Sequence, residues 1–183
     1  IKMEFNFMII YNKKIFKKII SKEDIEKKIT DISKSINNYY GDEQIVILCV
    51  LNGSVMVLND LLIKLKTNHI VDYIELSSYK GGTETSGKVD IIQDISTNLK
   101  GKKVLIIEDI VDSGTTLNFI YKKLLKIGAQ EIKVFSLLYK KEKYKFDIKI
   151  DWYAFEIQDL FTIGYGMDYH LKFRGLNDIY ALS

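Results

Sequence analysis

The sequence predicts an α/β domain with a mainly parallel central sheet flanked by helices. Three observations carry that prediction. Two apolar runs of strand length, IVILCVL (45–51) and KVLIIED (103–109), each lead through a glycine-bearing turn into an amphipathic stretch. A third run, IKVFSLL (132–138), follows the second amphipathic stretch, so the strand-turn-helix order repeats. Runs that are apolar at successive positions suit strands covered on both faces, which is how crossover helices cover a parallel sheet.

Taken in order, the opening IKMEFNFMII carries Glu4 and reads poorly as a secretory signal. Residues 1–12 are set aside as an N-terminal extension, and 13–183 as a single domain without repeats or low-complexity linkers. Ser21 followed by Lys-Glu-Asp has the form of a helix N-cap with acids in the first turn. Ile25, Ile29, Ile32 and Ile36 then recur at helical spacing, predicting a helix over 22–39. After 45–51, Gly53 makes the turn, and Val55, Leu58, Leu62 and Leu65 mark the apolar face of the next helix. HIVDYIELSSY (69–79) and KVDIIQDI (88–95), joined by KGGTETSG (80–87), read as a long hairpin with a mobile tip. The turn Asp112-Ser113-Gly114 precedes a helix bearing Leu117, Ile120, Leu124 and Ile127, and residues from about 140 onward form an appended segment.

Composition narrows the function classes. The chain has 183 residues, 47% of them hydrophobic and 28% charged, which supports one folded core and excludes the disordered class. A net charge of +3, from 27 basic against 24 acidic residues, gives no indication of a nucleic-acid surface. No run approaches the ~18 apolar residues of a membrane span. The single Cys49 sits inside an apolar strand, so it forms no internal disulfide and suits a reducing cytoplasm. Ile, Lys, Asn and Tyr are abundant, Pro is absent and Arg occurs once, at Arg174. Lysines therefore carry little information singly, whereas the lone arginine carries more.

The chemistry concentrates in VLIIEDIVDSGTTL (104–117). A buried strand ends in Glu108 and Asp109, turns through Asp112-Ser113-Gly114, and enters a helix whose first turn holds Thr115 and Thr116. Amides at a helix start, its positive dipole end and nearby hydroxyls cradle a phosphate without a lysine, and glycine permits close backbone approach. The adjacent acids suit sugar hydroxyls or a hydrated cation. Other motifs fail: GYGMDY (164–169) lacks the third glycine of a dinucleotide fingerprint, no P-loop occurs, and two histidines with one cysteine make neither a zinc cluster nor a Ser-His-Asp triad. His69, at a strand start, reads as structural.

This segment resembles the signature for phosphoribosyl pyrophosphate (PRPP) of the type I phosphoribosyltransferases. Adding LNGSVMVLNDLL (51–62), SSYKGG (77–82), LLYK (137–140) and FEIQDLFTIGYGMDYHLKFRGLND (155–178), the chain is similar in order and spacing to the hypoxanthine-guanine phosphoribosyltransferases from about residue 45 to its end. The resemblance implies the type I phosphoribosyltransferase fold, with a small hood built from N-terminal residues and about 140–183, and a flexible hairpin lid. It implies transfer of 5-phosphoribosyl from PRPP to N9 of hypoxanthine or guanine, with Mg2+, in a cytoplasmic homodimer or homotetramer that binds neither nucleic acid nor membrane.

Roles carry over by position. Glu108 and Asp109 would hold the ribose hydroxyls and the magnesium environment, and Asp112, Ser113, Gly114, Thr115 and Thr116 would wrap the 5-phosphate. Asp112 would exchange a proton at purine N7. Lys140 would meet O6, Phe161 would stack on the base, and the Thr162 carbonyl would accept from N1. Asp168, beside the base, would coordinate a second magnesium on pyrophosphate, which Arg174 would grip with its planar fork. Leu51, Asn52 and Gly53 would face the diphosphate across a peptide that is often cis in the family, and Ser78 and Tyr79 would belong to the lid. Adenine inverts both hydrogen-bonding groups of a 6-oxopurine, a mismatch worth roughly 10⁴-fold in a site built around them. The chain departs from the family pattern at Asn52 and Thr115, where basic residues are common, and at Gln158, where proline is usual. A phosphoribosyltransferase for xanthine or a pyrimidine, and a non-catalytic RNA-binding regulator on the same fold, are the alternatives. The 140–168 segment argues against pyrimidines, and the joint presence of Asp112, Asp168 and Arg174 argues against an inactive relative.

Overall fold

The computed structural model describes residues 2–4, 8–78 and 89–183. Strands β1 (Lys2–Glu4), β2 (Met8–Tyr11) and β3 (Lys14–Ile20) precede helix α1 (Lys22–Tyr40). Strand β4 (Ile45–Leu51) leads into α2 (Val55–Leu62), and β5 (His69–Ser78) pairs with β6 (Val89–Gln93). Then come β7 (Lys103–Val111), α3 (Thr115–Ile127), β8 (Glu131–Tyr139), β9 (Trp152–Glu156), β10 (Thr162–Ile163) and β11 (Ile179–Leu182).

Six strands form the main sheet in the order β6-β5-β4-β7-β8-β9. Every neighbouring pair from β5 to β9 is parallel, and only β6 runs antiparallel. Both predicted apolar runs are central: six of the seven β4 residues are buried, as are Val104 to Glu108 of β7. Alternation splits these strands between two cores. Ile45, Ile47, Cys49, Leu105 and Ile107 meet α1 and α2 on one face, whereas Val46, Leu48, Val50, Val104 and Ile106 meet α3 on the other. The Cys49 thiol lies in the first core, and burial pushes its pKa up to about 12.

Local chemistry explains the helices. The Asp24 amide donates to Ser21 Oγ at 3.1 Å, capping α1, and Gly41 ends it at a φ of 55°. Ile25, Ile29, Ile32 and Ile36 are buried as their spacing requires, so truncating the fully buried Ile29 to Ala costs about 2–5 kcal/mol. In α2, Leu58 is buried and Leu62 packs against the same core, as expected, with Leu65 joining from beyond the helix end. Val55 is instead exposed, and Val57 and Leu61 widen the buried face.

The second sheet, β1-β2-β3-β11-β10, is wholly antiparallel. Its two ends of the chain meet where β11 pairs with β3, and Ile9, Phe16, Ile163 and Tyr180 form its core. Residues 8–11, set aside as extension, pair with Lys14–Lys17 and so lengthen this hood. The strand expected over 88–95 spans 89–93. The hairpin tip 80–87 and Tyr79 lie outside the described residues, as does the side chain of Ser78.

Candidate active site

Three turns at the carboxyl ends of the parallel strands converge with the hood, the place where ligands bind in open α/β sheets. Strand β7 runs two residues beyond the expected acid pair, to Val111, so Glu108 and Asp109 lie within its last pleats and alternate to opposite faces of the strand. Glu108 lines a narrow cleft with Asp112, Ser113, Thr115 and Thr116, whereas Asp109 lines a cavity of about 230 Å³ with Asp112, Lys140, Phe161, Thr162, Asp168 and Arg174. The first bond within α3 runs from the Asn118 amide to the Gly114 carbonyl at 2.8 Å. The amides of Thr115, Thr116 and Leu117 therefore precede the helical ladder and face the cleft with the positive dipole end. Ser113 Oγ and Thr115 Oγ1 sit 3.1 Å apart at its rim.

Gly114 lines the same cleft and has a second constraint: its φ is 84°, and a Cβ there would overlap the Tyr144 ring, so the position also accommodates a packed aromatic. The Lys145 amide donates to the Ser113 carbonyl, which ties the segment after β8 to the cradle.

The turn after β4 carries a cis peptide between Leu51 and Asn52, as the resemblance implied. Asn52 Nδ2 donates to Glu75 Oε1 at 2.9 Å, fixing the side chain against β5. A Cβ on Gly53 would overlap the Asp109 carboxylate, and a Cβ on Gly166 would overlap the Gly53 carbonyl. Asp109, the β4 turn and the hood loop are thus stacked in direct contact through two glycines.

Arg174 completes this stack. Its Nη1 donates to the Gly166 carbonyl at 2.7 Å, and Nη2 pairs with Asp168 Oδ1 at 2.7 Å. The other Asp168 oxygen accepts from the Leu171 amide at 2.8 Å. The planar fork is used as its geometry suggests, but on the protein's own acceptors.

Lys140, which the resemblance places at O6, is 5% exposed. Its ammonium lies 3.0 Å from Asp112 Oδ2 and 2.9 Å from Asp159 Oδ1. Lys143 reaches the same two acids, at 2.9 Å from Asp112 Oδ1 and 3.0 Å from Asp159 Oδ1. Neither Lys143 nor Asp159 was anticipated; a lysine among many and an acid beside an expected proline position gave no signal. Phe161 is half exposed at the cavity and meets Tyr169 edge-on at 5.6 Å. Thr162 is buried, its Oγ1 toward Met167 Sδ.

The two strand-end acids carry an electrostatic cost. Burial, and then the charge of Asp109, push the Glu108 carboxyl well above its usual range. Burial raises Asp109 to about 6, against the lowering effect of the Ile110 amide and Arg174.

A strand-end acid pair, a helix-start cradle and a flanking cavity with a lysine are what a phosphoribosyl-binding site requires. A family model described as the phosphoribosyl transferase domain matches residues 17–170. The chain belongs to the phosphoribosyltransferase family. Among phosphoribosyltransferases, it is 38% identical to the hypoxanthine-guanine phosphoribosyltransferase of Bacillus subtilis, over 92% of this chain and 94% of that one. It is 36% identical to the enzyme of the same name from Staphylococcus epidermidis, over 90% and 92% of the two chains. A crystal structure of a hypoxanthine phosphoribosyltransferase from Staphylococcus aureus superposes with a TM-score of 0.86 at 34% identity, covering 91% of each chain. One of a hypoxanthine-guanine phosphoribosyltransferase from Bacillus anthracis gives 0.85 at 36% identity, covering 91% of this chain and 98% of that one.

Within this phosphoribosyltransferase, the predicted residues fall into two neighbouring compartments that share Asp112. Glu108 joins Ser113, Thr115 and Thr116 in the cleft. Asp109, Lys140, Phe161, Thr162, Asp168 and Arg174 share the cavity, with Gly53 packed behind Asp109. The expected metal set Glu108, Asp109 and Asp168 is split between them. Among the described residues, no three His, Cys, Asp or Glu side chains converge into a metal-holding group.

Proposed function

We propose that the chain transfers 5-phosphoribosyl from PRPP to N9 of hypoxanthine or guanine, giving IMP or GMP and pyrophosphate, a purine-salvage reaction. The observation that carries this reading is the joint lining of one cavity by Asp112, Lys140, Phe161 and Thr162, beside a helix-start phosphate cradle. The 5-phosphate occupies the amides and hydroxyls of 113–116. The base lies in the cavity, with O6 toward Lys140, N1 toward the Thr162 carbonyl and its ring against Phe161. The N9 lone pair attacks C1′, the bond from C1′ to the pyrophosphate oxygen breaks toward pyrophosphate, and the N7 proton passes to Asp112. Arg174 and the 51–53 turn hold the departing pyrophosphate, and Ser78 and Tyr79 belong to the lid that excludes water.

Mg2+ fits the donor set as a shared rather than a caged ion. Glu108 is buried and Asp109 partly so, burial opposes the charge of both, and a hard cation arriving with PRPP would relieve that opposition. Asp168 would contribute from the hood side. When bound there, the ion would supply positive charge against the departing diphosphate.

A cytoplasmic setting suits the lone buried thiol of Cys49, and no helix among the described residues is long and apolar enough to cross a membrane. The assembly is a homodimer or homotetramer, for which the outward face of α2, with Val55 and Ile63 exposed, offers apolar surface.

The test incubates the protein with PRPP, magnesium and single bases while following pyrophosphate release. Turnover with hypoxanthine and guanine, and almost none with adenine, orotate or uracil, is expected. Turnover with uracil alone, or none with any base, overturns the reading.

A further inference from the structure

Lys143 and Asp159 stand just outside the base cavity, which Lys140 and Asp112 line. The four side chains form a closed ring of ions in which each lysine bonds both acids, at 2.9 to 3.0 Å for the shortest contact of each pair. Two cations and two anions make the ring neutral. We infer that Asp159 and Lys143 are positioning residues for the proposed reaction, Asp159 aiming the Lys140 ammonium at the base and Lys143 holding the Asp112 carboxylate for proton transfer.

The geometry divides the labour. An ammonium has three tetrahedral donors and no acceptor. Asp112 and Asp159 take two of those on Lys140, and the third is left for an acceptor in the cavity it lines. A 6-oxopurine presents that acceptor at O6; adenine presents a donor there and meets an ammonium that cannot accept. Without Asp159 the four-carbon stem of Lys140 has one anchor instead of two, and the third donor loses its direction. Asp112 has the converse need. Lys140 must serve the base, so a second cation that stays outside the cavity keeps Asp112 oriented while Lys140 is engaged. Backbone bonds fix the spacing, because the Lys143 and Tyr144 amides both donate to the Lys140 carbonyl. The mutual interaction is also visible in protonation. Lys140 and Lys143 hold the Asp159 carboxyl below its usual range, and Asp112 and Asp159 hold Lys143 above its own.

This inference rests on the base occupying the Lys140 cavity, so the parent protein is assayed first. Steady-state kinetics are then compared for Asp159→Asn, Asp159→Glu, Lys143→Met and Lys143→Arg, with hypoxanthine, adenine and PRPP varied separately. Asp159→Asn should raise KM for hypoxanthine about fivefold, the upper range for an exposed ion pair, and narrow the preference over adenine, with KM for PRPP unchanged. Lys143→Met should lower kcat about tenfold, a fraction of what a positioned base supplies, with KM for hypoxanthine nearly unchanged. Asp159→Glu and Lys143→Arg should recover most of the respective losses. Both residues are surface-facing, and thermal melting confirms that each variant is folded. A parent inactive on hypoxanthine sinks the proposed function itself. An active parent whose Asp159→Asn and Lys143→Met variants match it, or lose KM and kcat for both substrates alike, sinks the positioning roles alone.

Discussion

Asp109, near the end of β7, and Asp112, in the turn that follows it, are close neighbours in the chain, yet their carboxylates have opposite surroundings. Asp109 packs against Gly53 beneath the hood, next to the buried Glu108, and burial raises its pKa to about 6. Asp112 is bonded by two ammoniums that also share Asp159. One side of the site is therefore acid-rich and under-compensated, and the other is balanced by the protein alone. The difference separates what the ligand must supply from what the fold supplies: a cation accompanying diphosphate on the Asp109 side, and only an uncharged base on the Asp112 side.

The largest effect should come from breaking the balanced side. Asp112→Asn keeps size and one acceptor but abolishes proton acceptance, so kcat should fall about 100-fold or more while KM for PRPP stays within about twofold. Steady-state kinetics with hypoxanthine decide it, and an equal loss in both constants would make Asp112 a binding group. On the other side, Gly53→Ala places a methyl against Asp109 Oδ2. Separating the β4 turn from Asp109 should weaken PRPP binding about 30-fold and cost about 1–3 kcal/mol of stability, read by calorimetry and melting.

Arg174→Lys sharpens the comparison at its boundary. Arg174 spans Gly166 and Asp168 with two nitrogens, and a lysine is a point charge that cannot copy the fork. KM for PRPP should rise about tenfold, with KM for hypoxanthine little changed. A variant that binds PRPP and releases pyrophosphate like the parent would reduce the lone arginine to a compositional remnant.

What was legible in the sequence follows the same division. β4 and β7 could be read because burial on both faces leaves an unbroken apolar run, and the DSGTT turn because a phosphate cradle needs those residues in that order. The hood could not, since β3, as KIFKKII, buries only Phe16 and Ile20 between lysines, and β10 has two residues. Nor could Lys143 and Asp159, whose roles arise from spatial convergence of 112, 140 and 159 in a lysine-rich chain. The self-pairing of Arg174 with Asp168, both expected to face ligand, is likewise a tertiary fact that spacing does not encode.

The smallest effect tests the uncompensated side without any substrate. Asp109 ionises near 3.8 in the unfolded chain and about 6 in the folded one. Between those values the folded state keeps a proton that the unfolded state has lost, so unfolding becomes easier as pH rises. The contribution of Asp109 is therefore fully favourable below about pH 4, declines through about pH 6 and stays diminished above it; Glu108, raised for the same reason, acts in the same direction. Asp109 retains some solvent contact, so the loss is on the order of 1 kcal/mol rather than the full value of the shift. Asp109→Asn removes the ionisation while keeping the shape. At pH 7.5 its Tm should exceed the parent's by about 2–4 °C, and at pH 4 the two should nearly coincide. An Asn variant that melts below the parent at pH 7.5 would mean that the carboxylate is compensated within the protein, and the contrast between the two halves of the site would disappear.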